Sequence, residues 1–139
     1  MTPAPDVEAH AAAVLQALLA SGLTVFDGHV PTGEARPALP YAVLWMAAPL
    51  HRTSTLAGHQ QQATVAWTTH SVGQRPENAR WVQSRVHSAL VDARLTVPGR
   101  AVSKVKHDVT QPVRADRDVD PAVFSAVDQW SLLSLPAPA

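Results

Sequence analysis

The chain has 139 residues, 46% of them apolar, enough for one domain of about 100–150 residues with a buried core. Charged residues are only 16% and cancel, 11 basic against 11 acidic, which argues against a nucleic-acid-binding domain and against a disordered tail. Cysteine is absent, which excludes a disulfide framework, a thiolate metal site and a cysteine nucleophile.

Val7, Ala11, Val14, Leu15, Leu18 and Leu19 fall on one helical stripe and predict a helix over residues 6–21. Asp6 stands at its start, as an N-cap or first-turn acid, and Gly22 at its stop. Residues 23–26 read as a short strand closed by the turn dipeptide Asp27-Gly28. The proline-rich stretch 31–40 reads as a loop. Residues 41–47 (YAVLWMA) are apolar on both alternating faces, the pattern of a central strand covered on both sides. Residues 49–58 (PLHRTSTLAG) are polar and patternless, so a connecting loop ordered by neighbouring subunits is expected. In residues 60–72, Ala63, Val65, Trp67 and Thr69 alternate with Thr64, Ala66, Thr68 and His70, predicting an antiparallel hairpin with 41–47.

A second helix is expected over 75–93, with Pro76 and Glu77 in its first turn and a stripe of Ala79, Val82, Val86, Ala89 and Leu90. Residues 101–109 alternate as one half-exposed or edge strand, 111–121 (QPVRADRDVDP) form a charged arm, 122–133 make the last strand, and 134–139 a frayed tail. The order α-β-β-β-α-β-β implies an α+β fold, two helices on a mostly antiparallel sheet of about four to five strands, in a single domain over 1–139. Leu15, Leu18, Val43, Trp67, Val82 and Val86 are its candidate core.

The search for chemistry returns no catalytic, cofactor or metal residue. The seven histidines show no ligand spacing, since no pair lies at i, i+4 on a helix and no carboxylate is clustered with them. Asp116-x-Asp118-x-Asp120 opens like a calcium loop, but Pro121 stands where glycine is needed and Val127 where glutamate is needed. Asp27 and His29 are explained by a turn. No nucleophile elbow or glycine-rich phosphate loop is present. The four tryptophans suit core or subunit packing, because a stacking platform for single strands would need a basic groove. No run approaches the roughly 18 apolar residues of a membrane span, and residues 1–10 carry no early Lys or Arg. A soluble intracellular product without membrane partners is expected.

Three patterns, in this order and over nearly the whole chain, carry a resemblance. The first is Leu39-Pro40-Tyr41-Ala42-Val43-Leu44, a strand entered through proline. The second runs from Val65 to Gly73 and on into Gln74-Arg75-Pro76-Glu77-Asn78-Ala79-Arg80-Trp81-Val82. The third, Val119 to Trp130, is the final strand after the charged arm. Together they resemble the tail terminator (tail completion, minor tail) proteins of long-tailed phages, particularly those of actinobacterial hosts. The resemblance implies a structural virion protein and no enzyme: a hexameric ring at the head-proximal end of the tail tube, assembled in the host cytoplasm. Its partners would be copies of itself, the tube protein and the head-tail connector, with DNA passing through the lumen without sequence-specific contact.

Low charge and two long excursions, 31–40 and 111–121, suit the two different patches by which ring subunits meet. The candidate contact residues are His51, Arg52 and Thr53 in the loop and Arg114, Asp116, Arg117 and Asp118 in the arm. Competing readings are another neck ring, a tail tube subunit, or a small α+β ligand-binding module. A symmetric ring separates the structural readings from a monomer with a deep polar pocket.

Overall fold

The computed structural model describes residues 6–32, 35–52, 62–118 and 122–138. Among the described residues, two helices, α1 (Val7–Ala20) and α2 (Pro76–Leu90), accompany eight strands. These are β1 (Val25–Asp27), β2 (Tyr41–Met46), β3 (Leu50–Arg52), β4 (Gln62–Gly73), β5 (Arg100–Val102), β6 (Lys106–Thr110), β7 (Arg114–Asp116) and β8 (Val123–Pro136). The α+β class is as expected. All the strands join one sheet of order β1-β2-β4-β8-β5, with β3 added to β4, and β6 and β7 added to β8. Among the described residues, only the β1–β2 pair is parallel. Among the described residues, no helix is long and apolar enough to cross a membrane.

Local chemistry explains the helix ends. The Asp6 carboxylate accepts the Glu8 backbone N–H at 2.9 Å, satisfying a donor that the first turn leaves open. Pro76 opens α2, where its missing N–H costs nothing. The helices bury Val14 and Leu18 from α1, and Val82, Val86 and Leu90 from α2, against one face of the sheet. That face presents Leu44, Val65, Trp67, Trp130 and Leu132. Leu15 is only half-buried at its margin.

The opposite face carries a smaller cluster of Tyr41, Val43, Val72 and Val123, closed by Phe26, Val30 and Leu39. Strand β2 is therefore covered on both sides, by helices on one and by Phe26, Val30 and Leu39 on the other, and Val43 is buried in the second cluster. Farther along, this face is left half-open. Trp45 is 45% exposed on it and Trp81 is 47% exposed on α2, so only Trp67 and Trp130 of the four tryptophans are core.

Three expectations are corrected. Residues 49–58 are not all loop: Leu50–Arg52 pair with Gln62–Thr64 as β3, because β4 runs on past the end of β2 and would otherwise expose its backbone groups. Residues 53–58, with Thr53, lie outside the described residues. Residues 101–109 are not one strand. Val102 pairs with Ser134 and Lys106 with Ser131, so one extra residue interrupts the ladder and lets Val105 turn inward to 2% exposure. There the Ser103 hydroxyl accepts the Leu133 N–H at 2.8 Å in place of a carbonyl. The arm 111–121 is not free of the sheet, since Arg114–Asp116 pair with Val123–Ser125 as β7, and β8 continues to Pro136 through part of the expected tail.

Candidate functional site

The contact candidates fall into two groups that the fold separates. His51 and Arg52 lie in β3, against the start of β4, where Ala63 faces Ser134. Arg114 and Asp116 lie in β7, against the start of β8, near the pair Gly73–Phe124. The β4–β8 ladder between these ends spans about 30 Å at about 3.3 Å per residue. Arg114, Asp116, Arg117 and Asp118 are all exposed, and the Asp118 N–H is held by the Asp116 carboxylate at 3.1 Å.

Next to β7 is a groove of about 400 Å³ on the half-open face. Tyr41, Val43, Trp45 and Val72 form its apolar floor, and His70, Arg36 and Asp116 supply polar groups. Burial lowers the His70 pKa from its ordinary value, which keeps the ring neutral. Asp27 and His29 are exposed at the turn after β1.

A second assembly of polar groups lies on the helix-covered face. Asp128 is fully buried on β8, between Ala126 and Trp130 in the inward register. Its Oδ1 accepts from His107 Nε2 at 2.9 Å and from His87 Nε2 at 3.0 Å. Its Oδ2 accepts from Gln83 Nε2 at 3.1 Å. Gln83 and His87 are four residues apart on α2 and so share a face. His107 stacks on Trp130 at 4.3 Å between ring centroids, and His87 meets the same ring edge-on at 5.4 Å. Burial pushes the Asp128 carboxyl up, but hydrogen bonds from Thr110, Gln83, His87 and His107 outweigh it and hold the group below the usual carboxylate range.

The bulge in β6 completes this cluster. His107 pairs with Trp130 but Val109 with Gln129, so Asp108 is the extra residue. Without it, His107 and Thr110, three apart, would point to opposite faces of the sheet. The expectation that no carboxylate is clustered with the histidines is therefore corrected. A signal was present: Asp128 stands in an apolar run at a position whose register neighbours, Ala126, Trp130 and Leu132, are core residues.

No family model matches the chain, and no curated protein matches it. Solved structures do share its fold. A chain of the virion of a native gene transfer agent particle matches with a TM-score of 0.61 and 18% identity, over 91% of this chain and 93% of that one. A second structure, whose name describes no function, matches with a TM-score of 0.62 and 15% identity, over 98% of this chain and all (100%) of the other. At these identities the likeness is one of fold.

Proposed function

We propose that this chain is a structural, non-enzymatic component of a phage-like particle, and within it the tail terminator that forms a ring at the head-proximal end of the tail tube. The observation that carries the reading is the shared fold, over nearly the full length of both chains, with a virion protein of a gene transfer agent particle. The separation of the charged candidates supports it further. A ring is closed by two different patches on each subunit, and His51 and Arg52 lie at one end of the β4–β8 ladder with Arg114 and Asp116 at the other. The half-open sheet face, with exposed Trp45, adds apolar area for a further partner.

Light scattering and electron microscopy of the purified chain, alone and with growing tail tubes of its own particle, test the proposal. Closed rings that cap tubes at one end and stop their growth are expected. A chain that stays monomeric and leaves tube length unaltered overturns it. Incorporation along the whole tube would instead assign it as a tube subunit.

A further inference from the structure

We infer that His87 Nε2, His107 Nε2 and Asp128 Oδ1 form a binding site for one divalent transition-metal ion of the zinc class. The three donor atoms come from α2, β6 and β8 and lie within 4.8 Å of one another. Two imidazoles and one carboxylate are a donor set that suits zinc and its first-row neighbours and discriminates against magnesium and calcium, which favour all-oxygen shells.

Both rings aim the same nitrogen at the same carboxylate oxygen, at 2.9 and 3.0 Å, although the second oxygen is within reach of other donors. Metal–ligand bonds of about 2.0–2.1 Å in a tetrahedral shell place donors about 3.3–3.4 Å apart. The two N–O separations therefore widen by about half an ångström, and each ring turns its Nε2 from the oxygen toward the ion. Gln83 holds Oδ2, and both rings pack against Trp130, which limits their rotation. The His87 and His107 side chains are 32% and 24% exposed, while Asp128 is sealed, so the ion enters from the solvent side and water completes its coordination. Because each Nε2 donates to an ionised carboxylate, the free protein holds both protons on Nε2. On binding, each ring gives up its Nε2 proton, to solvent or by moving it to Nδ1, so that the Nε2 lone pair faces the ion. The bound ion would tie the edge strand β6 to α2 and β8, independently of the role in a particle.

The experiment uses untagged full-length protein, stripped with a chelator and titrated with Zn²⁺, and with Co²⁺ as a visible-absorption probe. One ion retained per chain after gel filtration, Co²⁺ ligand-field bands, and a thermal midpoint that rises with Zn²⁺ are expected. His87→Gln and His107→Gln should each abolish stoichiometric retention, and Gln83→Ala should weaken it about tenfold or more. His29→Gln, at an exposed turn, should bind as the parent does. Because Asp128→Asn alters a buried group, the weight rests on His87→Gln, with its far-ultraviolet circular dichroism confirming the fold. Failure to retain Zn²⁺, or equal retention in the parent, His87→Gln and His107→Gln, overturns the site and leaves a hydrogen-bonded cluster only.

Discussion

Trp67 and Trp130 face each other across the β4–β8 ladder, but they differ in the fate of the indole N–H. Trp130 donates to the Thr69 hydroxyl at 2.9 Å, whereas Trp67 Nε1 is buried with no partner among the described residues. Thr69→Val keeps the shape and removes the acceptor, which strands a buried donor. A loss of about 1–3 kcal/mol is expected in denaturant unfolding, and an unchanged midpoint would show that the bond carries no weight. His70 supports a second prediction at this scale. Burial holds its folded pKa below the ordinary histidine value of about 6.5, so the unfolded chain takes up the proton first as pH falls. This contribution to stability is complete above about pH 6.5 and is lost as pH drops through the lower folded value. The thermal midpoint of His70→Gln should therefore fall less than the parent's on acidification below pH 6.5; parallel curves would remove the assignment. Arg36 and Asp116 line the same groove.

Between elements, the junction of β4 and α2 leaves no room for a side chain at Gly73. A Cβ built on Gly73 would stand 2.6 Å from the Ala79 nitrogen and 2.7 Å from the Asn78 Cβ, so the first turn of α2 would have to move. Gly73→Ala is expected to cost about 1–3 kcal/mol, as overpacking does, read as a lowered thermal midpoint. A midpoint equal to the parent's would mean that the helix start shifts freely. The same junction matters to the histidine cluster, because α2 carries Gln83 and His87 and its placement sets where they point. At β6, element and site are linked in the same way: one bulge residue decides which side chains meet Asp128.

For the molecule as a whole, the proposed ring contacts are charges that add little to the fold. Arg114 and Arg117 are exposed beside the last strand, and substitutions at such positions ordinarily stay within about 0.5 kcal/mol. Charges of this kind set register and partner choice more than affinity. Arg114→Glu with Arg117→Glu should therefore leave the melting temperature nearly unchanged and impair assembly onto tails. Light scattering and micrographs of the double variant check both halves, and full assembly would return the arm to plain solvent.

Residue periodicity by itself determined both helices, the central hairpin, the last strand and most of the core, because a face that must be buried shows directly as a period of 3.6 or 2. The stripe Val82, Val86, Leu90 and the inward set Val65, Trp67 needed no partner to be read. The short strands β3, β5 and β7 were not legible, since three residues hold too few alternations and their pairing depends on where the long strands β4 and β8 happen to run unpaired. Nor was the histidine cluster. His87, His107 and Asp128 are twenty or more residues apart in sequence and carry no spacing rule, and His107 and Thr110 share the Asp128 face only because a bulge between them reverses the alternation of β6. Sequence order dictates what a segment buries; which polar groups end up on the same buried face is decided by strand pairing, where one inserted residue exchanges the two sides of a sheet.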